Sequence, residues 1–239
     1  MNIVITGASR GIGFYTALHL AKNTDHKIFA LSRDERGLKK LSDAIEPDRV
    51  VIIPCDITDE KSIGESVQKI AGIVSGVEVL INNAGKLINK SFLELTAADW
   101  QAVYNVNVFG VVNVTRALIP LLLKGEIIPQ SNIKAHIVNI SSIGGIQGSI
   151  KFKGLSAYSS SKGALIGIGE CLSEELKTSG VHVNTIALGS VETEMFLSAF
   201  PGMKASVDPI EISMWVADFA LNGYRFFNGK IIPVSTSTP

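Results

Sequence analysis

Short apolar runs alternate with longer amphipathic segments along most of the chain. Seven runs rich in β-branched residues predict strands, at 2–6, 27–32, 50–54, 77–82, 135–141, 181–187 and 230–234. Between the strands, apolar residues recur at helical spacing over 11–22, 35–46, 59–75, 97–124, 157–179 and 209–221. The strand-like runs are continuously apolar rather than alternating, which is typical of strands that helices cover on both faces.

The repeated β-α-β order indicates an α/β fold. It predicts one doubly wound, parallel sheet of about seven strands with helices on both faces. No internal repeat, linker or low-complexity segment interrupts the 239 residues, so we expect a single domain over 1–239.

Composition and charge exclude several function classes. Hydrophobic residues make up 46% of the chain and charged residues 18%, which suits a large core. Because 22 basic and 22 acidic residues balance, we expect no nucleic-acid partner and no anionic membrane surface. The most apolar stretch, 108–123, contains Asn113, Arg116 and Pro120, so we expect a buried helix rather than a membrane span.

The two cysteines and the N-terminus give no sign of a metal site or of secretion. The two cysteines have no metal-ligand spacing, and we expect no disulfide. The chain starts directly in a predicted strand, without a basic and apolar leader, so a cytoplasmic location is the expectation.

A glycine-rich turn, "TGASRGIG" at 6–13, joins the first predicted strand to the first helix. Such a turn lets the backbone approach a pyrophosphate, whose charge meets the N–H groups at the start of the helix. The alternative is a tight turn that only packs helix against strand. Its position after strand one of an α/β chain favours a dinucleotide site.

The end of the second predicted strand bears on the choice of cofactor. Dinucleotide sites often have an acidic residue there to bind the adenosine ribose, but this chain has Ser32 and Arg33. Arg10 lies inside the glycine-rich turn. Two arginines suit the 2′-phosphate of NADP(H), because guanidinium groups pair well with phosphate oxygens. NAD(H) stays an alternative, with Arg33 paired on the surface to Asp34, Glu35 or Asp59.

Polar residues also end the fourth and fifth predicted strands, and a tyrosine and a lysine follow them. "INNAG" occupies 81–85, "VNISS" ends at Ser142, and "AYSSSK" places Tyr158 four residues before Lys162. On a helix these two side chains share a face, either as part of a solvated surface or as a proton-transfer pair. Lowering the phenol pKa by about three units takes about 4 kcal/mol, which one lysine supplies only where water is partly excluded.

In this order, TGASRGIG, NNAG, a strand-ending serine and Y-x3-K resemble the short-chain dehydrogenase/reductase family over nearly the whole chain. The resemblance implies a Rossmann-type domain and hydride transfer between nicotinamide and a carbonyl or secondary alcohol carbon. The chain resembles members of the 3-oxoacyl-[acyl-carrier-protein] reductase type. It also implies a homo-oligomer, either a tetramer or a dimer.

The resemblance assigns roles residue by residue. Tyr158 is the general acid/base, Lys162 lowers its pKa and holds the nicotinamide ribose, and Ser142 orients the substrate carbonyl. Asn107, rather than the nearby Asn105, supports a water chain to the lysine. The residues expected to bind the cofactor, together with Tyr158 and Lys162, are Gly7, Ser9, Arg10, Gly11, Ile12, Gly13, Ser32, Arg33, Asp56, Ile57, Asn83, Ala84, Gly85, Val191 and Thr193.

Two segments are expected to flank the substrate: a substrate loop at 143–156 and a lid at 192–208. In the substrate loop, Lys151 and Lys153 either attract an anionic substrate or are solvated charges beside a packed Phe152. The lid carries Met195, Phe196, Phe200 and Met203, which either cover a hydrophobic substrate or pack against the body of the protein.

Two function classes follow. The first is an active NADP(H)-dependent carbonyl reductase or alcohol dehydrogenase acting on a small molecule, with a carrier-bound acyl group as one candidate substrate. The second is a catalytically silent NAD(P)-binding sensor or scaffold of the same fold. The complete set of Asn107, Ser142, Tyr158 and Lys162 favours the first.

Overall fold

A seven-stranded parallel sheet runs through the protein. The computed structural model describes residues 1–129 and 131–235. The strands are β1 (Asn2–Thr6), β2 (Lys27–Ser32), β3 (Val50–Pro54), β4 (Val79–Asn82), β5 (Ala135–Ser142), β6 (Val181–Leu188) and β7 (Ile231–Val234). Their order across the sheet is β3-β2-β1-β4-β5-β6-β7, and every neighbouring pair is parallel. The predicted Rossmann-type sheet is therefore confirmed.

Helices connect the strands on both faces of the sheet. They are α1 (Gly11–Asn23), α2 (Glu35–Asp43), α3 (Glu60–Ala71), α4 (Ala97–Tyr104), α5 (Val111–Leu122), α6 (Ser156–Glu175), α7 (Glu194–Ala199) and α8 (Pro209–Asn222). The pattern predicted one helix over 97–124. The structure instead inserts a π-helical segment, Asn105–Gly110, between α4 and α5. The predicted 157–179 helix ends at Glu175, and Gly180 then takes a left-handed backbone conformation at φ 75°.

The core has two halves, one on each face of the sheet. Ile3 and Ile5 of β1 belong to the half that includes residues of α1, α2 and α8. Val4, between them, belongs to the half that includes residues of α3 and α5. Successive side chains of a strand point to opposite faces, so a strand with helices on both sides must be apolar at every position. This explains the continuous apolar runs of the sequence.

The helical run Ala97–Leu122, which includes the π-helical segment, contains most of the apolar stretch 108–123. It spans 26 residues, and by length and composition alone it passes as a membrane span, with a mean hydropathy of 1.3 over its best window. More than half of that window, 56%, is buried inside the protein. A mostly buried core helix meets the same length and hydropathy test, so the run gives only weak support for a membrane span.

The strand order changes direction between β1 and β4, and hydrogen bonds join the ends of these two strands. The Thr6 hydroxyl accepts from the backbone N–H groups of Asn83 and Ala84, each at 3.1 Å. The Asn83 side-chain amide donates to the Thr6 carbonyl at 3.0 Å. In open α/β sheets, ligands bind outside the carboxyl ends of the strands at such a switch point.

Candidate active site

A cleft of about 620 Å³ opens at the carboxyl edge of the sheet. Most of the residues selected from the sequence line it. They are Gly7, Ser9, Arg10, Gly11, Ile12, Ser32, Arg33, Asp56, Ile57, Asn83, Ala84, Gly85, Ser142, Tyr158, Lys162, Val191 and Thr193. Gly13 and Asn107 are not among the lining residues, because each lies behind the cleft wall.

The glycine-rich turn at one wall of the cleft leaves no room for side chains. Gly7 has φ +68°, and a Cβ there would lie 2.8 Å from the Ala84 Cα. A Cβ on Gly13 would lie 2.5 Å from the Gly7 carbonyl oxygen and would also collide with the Asn83 amide. Gly13 therefore serves the close packing of α1 under the turn, while Gly7 and Gly11 border the cleft itself.

The start of α1 is suited to an anion. Its N-cap residue, Arg10, makes no side-chain capping hydrogen bond, and the first turn contains no acidic residue. By contrast, the starts of α2, α3 and α4 are capped by Asp34, Asp59 and Thr96. The uncapped N–H groups and the positive end of the helix dipole are the features that bind a pyrophosphate at this place in related folds.

The end of the cleft beside β2 and β3 carries Ser32 and Arg33, where dinucleotide sites often have an acidic residue. The Ser32 hydroxyl donates to the Ser9 hydroxyl at 2.8 Å. Arg33 pairs with Asp56 at 3.5 Å, so the predicted surface alternatives Asp34, Glu35 and Asp59 are wrong. Arg33 reaches Asp56 because β2 and β3 are parallel neighbours, which brings residues beyond their carboxyl ends together. The pKa of Asp56 is lowered: hydrogen bonds from Thr58 and the charge of Arg33 outweigh desolvation, the largest single influence.

Tyr158, Lys162 and Ser142 meet at the other end of the cleft. Tyr158 and Lys162 lie in α6, and the Lys162 Nζ is 5.9 Å from the centre of the Tyr158 ring. Lys162 is 3% exposed, and its ammonium donates to the Ile140 carbonyl at 2.7 Å. Ser142 ends β5, and its hydroxyl accepts from the Gly144 N–H at 3.2 Å. The i, i+4 spacing thus places phenol and ammonium on one face of α6, beside the serine.

The pKa of Tyr158 departs from the prediction. Burial raises it to about 12, and a hydrogen bond with Ser142 only partly opposes that rise. Burial lowers the pKa of Lys162 to about 8. The lysine donates to the Ile140 carbonyl, and burial rather than the lysine charge sets the pKa of the phenol in the protein chain alone. The described groups therefore hold Tyr158 as a neutral phenol, which is the proton-donating form.

Asn107 lies within the π-helical segment and is fully buried. Its side-chain oxygen accepts from the Lys86 N–H at 2.7 Å, and its amide donates to the Lys86 carbonyl at 2.9 Å. The amide also donates to the Ser161 hydroxyl at 2.9 Å, and Ser161 in turn donates to the Tyr158 carbonyl at 2.7 Å. Asn107 thus joins the 83–90 segment to the helix that carries the tyrosine. Asn105 is not part of this network.

The segment after β6 closes the cleft from above. Val191 is buried and pairs with Val207, and Leu188 is the last residue of β6. Thr193 caps α7 by accepting from the Phe196 N–H at 3.3 Å. The four apolar lid residues named from the sequence all line the cleft: Met195, Phe196, Phe200 and Met203.

The substrate loop differs from expectation at one residue. Lys151 is exposed, as the solvated alternative expects, and its ammonium donates to the Ile146 carbonyl at 2.5 Å and to the Ser149 hydroxyl at 2.6 Å. Phe152 is not packed away; it is 55% exposed and lines the cleft. Chain turns such as this one are set by local hydrogen bonds that apolar patterning does not report.

Several lining residues were missed by sequence reasoning. Ser159 follows the tyrosine directly and lines the cleft next to Gly144. A Cβ added at Gly144 would lie 3.0 Å from the Ser159 hydroxyl. Leu87 and Leu155 add apolar wall, and Lys204 adds a cation at the lid. Ser159 lies within the Y-x3-K motif and Leu155 precedes it by three residues, so the motif could have indicated both. No local sequence signal marks Leu87 and Lys204, because only the tertiary fold brings them to the cleft.

The sequence and fold were compared with known proteins. The family model for short chain dehydrogenase matches residues 1–204. The ketoacyl reductase HetN of Nostoc sp. is 33% identical over 191 residues, which is 79% of this chain and 63% of that protein. A solved structure described as ElxO with NADP bound superimposes with a TM-score of 0.83 at 25% identity, covering 98% of this chain and 96% of that one.

A second solved structure supports the fold. The 3-ketoacyl-(acyl-carrier-protein) reductase of Brucella melitensis, described as complexed with NADH, has a TM-score of 0.83 at 22% identity. It covers 98% of this chain and 96% of that one. With a matching family model over most of the chain, this protein belongs to the short-chain dehydrogenase/reductase family of oxidoreductases.

Proposed function

We propose that the protein is an NADP(H)-dependent oxidoreductase that transfers a hydride between nicotinamide and a carbonyl or secondary alcohol carbon. One observation carries the proposal: Ser142, Tyr158 and Lys162 meet at one end of a cleft whose other end carries Arg10 and Arg33. A proton donor and an anion site in one cleft are what such a reaction needs.

The residues of the cleft fit a dinucleotide. When bound, NADPH supplies the hydride. The uncapped start of α1 and the glycine-rich turn would hold its pyrophosphate, and Arg10 and Arg33 would hold its 2′-phosphate. Ser32 cannot act as the carboxylate that binds a free ribose, which supports NADPH over NADH. ElxO, described with NADP bound, is among the structurally similar proteins, whereas the Brucella protein is described with NADH.

Tyr158 would protonate the substrate oxygen in the reductive direction. The phenol is neutral at physiological pH, so it carries the proton that the substrate oxygen takes as negative charge develops there. The Ser142 hydroxyl would bind the same oxygen and orient it. The buried Lys162 ammonium adds positive charge beside the phenolate that forms, and water exclusion strengthens that interaction.

The substrate would be a carbonyl compound with an apolar body. Phe152, Phe196 and Phe200 line the cleft on the substrate loop and lid, together with Met195 and Met203. The name of the similar Nostoc protein, ketoacyl reductase, makes an acyl chain, carried on a thiol or a carrier, one candidate. Because Lys151 is engaged within its own loop, the loop offers less attraction to an anionic group than the sequence suggested.

A screen for NADPH oxidation over aliphatic ketones, 3-oxoacyl thioesters, quinones, sugars and steroids tests the proposal. NADPH carrying deuterium at C4 should transfer the label to the carbonyl carbon of the product. Binding of NADPH without turnover of any carbonyl class would contradict the proposal and favour the silent sensor or scaffold.

A further inference from the structure

The two ends of the lid, 192–208, are held in different ways. At its base, the Glu192 N–H donates to the Val207 carbonyl at 3.0 Å. The Glu192 carboxylate also accepts from the Ala205 N–H at 3.2 Å. These bonds tie the two chain ends of the lid to each other, and the pairing of Val191 with Val207 joins the base to the segment that follows β6.

At its far end, the lid is joined to another segment of the protein by a side chain. Asn89 donates from its amide nitrogen to the carbonyl of Ala199, the last residue of α7, at 2.7 Å. Asn89 lies two residues after Leu87, which lines the cleft, so the bond joins the end of α7 to the wall that carries Leu87.

Asn89 is itself fixed against the substrate loop. The next residue, Lys90, donates its N–H to the Gly154 carbonyl at 3.1 Å. Gly154 has φ +87°, and any Cβ there would collide with the Asn89 side-chain oxygen. The Lys90 ammonium bonds Asp99 at 2.9 Å, at the capped start of α4. These contacts hold the backbone next to Asn89 against the substrate loop and α4, and the exposed Asn89 side chain reaches the lid from that position.

The hydrogen bond from Asn89 to Ala199 lies where it would affect the binding of large substrates only. Phe196, Phe200 and Met203 of the lid line the cleft, so their position over the cleft depends on how the end of α7 is held. A small carbonyl compound at Tyr158 does not extend under these side chains. A long apolar body does, and its binding gains from a lid that is already closed.

We propose that Asn89 is a positioning residue that selects substrates by their apolar length, by holding the lid closed from the opposite wall. This rests on the proposed function, in which the cleft reduces apolar carbonyl compounds. Loss of the donor should let the lid open more often, because one net hydrogen bond then no longer opposes opening.

Two variants at Asn89 and one control test the proposal. Asn89→Asp keeps the shape but removes the donor, whereas Asn89→Gln keeps an amide donor. Asn23→Asp removes a comparable bond, from Asn23 to the His19 carbonyl at 2.8 Å, on α1 and away from the cleft. KM and kcat are measured with a short and a long straight-chain methyl ketone. Opening of the lid is measured without substrate, as the rate of tryptic cleavage after Lys204.

Asn89→Asp should raise KM for the long ketone about three- to tenfold, the range of one net hydrogen bond, and leave KM for the short ketone and both kcat values unchanged. Cleavage after Lys204 should accelerate by a similar factor. In Asn89→Gln, KM for the long ketone and the cleavage rate should both return most of the way to the wild-type values. Asn23→Asp should match the wild type in both measurements.

The outcomes separate this inference from the proposed function. Equal cleavage rates in wild type and Asn89→Asp would overturn the role of Asn89 in holding the lid. Faster cleavage with an equal KM change for both ketones would overturn its role in substrate selection. A wild type that reduces none of the carbonyl classes in the screen would contradict the proposed function and selection together, while the cleavage rates would still decide whether Asn89 holds the lid.

Discussion

Replacing Arg33 by alanine should remove most of a preference for NADPH over NADH. Arg33 follows β2 at the adenosine end of the cleft, and its side chain is 64% exposed. Its contact with Asp56, at 3.5 Å, is at the long limit of a hydrogen bond. The guanidinium can therefore turn to a 2′-phosphate at little cost.

The magnitude follows from this exposure. A hydrogen bond between charged groups contributes about 1.5–3 kcal/mol net, and solvent screening of an exposed pair reduces that to about 1–2 kcal/mol. The ratio of kcat/KM for NADPH to that for NADH should therefore fall roughly five- to thirtyfold. The value for NADH itself should change little, because NADH has no phosphate at this position.

Initial rates with each cofactor, at one fixed carbonyl concentration, give the ratio. Arg36→Ala is the matched control, since Arg36 is an exposed arginine of α2 that does not line the cleft. A wild type that prefers NADH would refute the reasoning. So would an Arg33→Ala variant with an unchanged ratio, or an Arg36→Ala variant with the same fall.

Two further predictions concern stability. Burial lowers the pKa of His136 from its ordinary 6.5 to about 4. Between pH 6.5 and pH 4 the unfolded chain therefore binds more protons at this residue than the folded protein does. The free energy of unfolding then decreases as the pH falls from about 6.5 towards 4. The full decrease in the free energy of unfolding is about 3 kcal/mol. Urea unfolding across this pH range should show that the free energy of unfolding depends less on pH in His136→Gln than in the wild type. Equal pH dependence in the two proteins would contradict this prediction. Gly13→Ala should cost about 1–3 kcal/mol and abolish thermal stabilisation by NADPH, because its Cβ collides with the Gly7 carbonyl. Gly167→Ala, with nothing within 4 Å of the new Cβ, should instead stabilise α6. Equal effects of the two substitutions would argue against the close packing at the glycine-rich turn.

Much of the fold could be predicted from the sequence for a physical reason. Residues such as Ile3, Val4 and Ile5 are apolar without alternation because helices cover both faces of β1. The strand boundaries therefore appeared directly as the limits of apolar runs. The π-helical segment was missed, since Asn105–Gly110 keeps the composition of a helix and differs only in its hydrogen-bonding register.

The site was predicted only as far as local motifs reach. The glycine-rich turn, NNAG and Y-x3-K occupy fixed positions on a β-α unit, so most of the residues selected from these motifs line the cleft. Contacts between distant segments leave no such mark. Asn89 and Ala199 are 110 positions apart, and Phe152 lines the cleft only because of how its loop turns.

The pKa of Tyr158 shows the same limit. Spacing predicted a lysine on the same helical face, but not that its ammonium would donate to the Ile140 carbonyl. Nor did it predict that burial would raise the phenol pKa to about 12. Electrostatic balance depends on depth in the protein, which only the folded structure defines.

The most direct test of the central claim is the rate of carbonyl-dependent NADPH oxidation by Tyr158→Phe. Tyr15→Phe, on α1 and outside the cleft, is the matched control. If Tyr158 donates the proton, Tyr158→Phe should lose about 10²- to 10⁴-fold in kcat while its Kd for NADPH stays near that of the wild type. Turnover equal to that of the wild type would contradict the account.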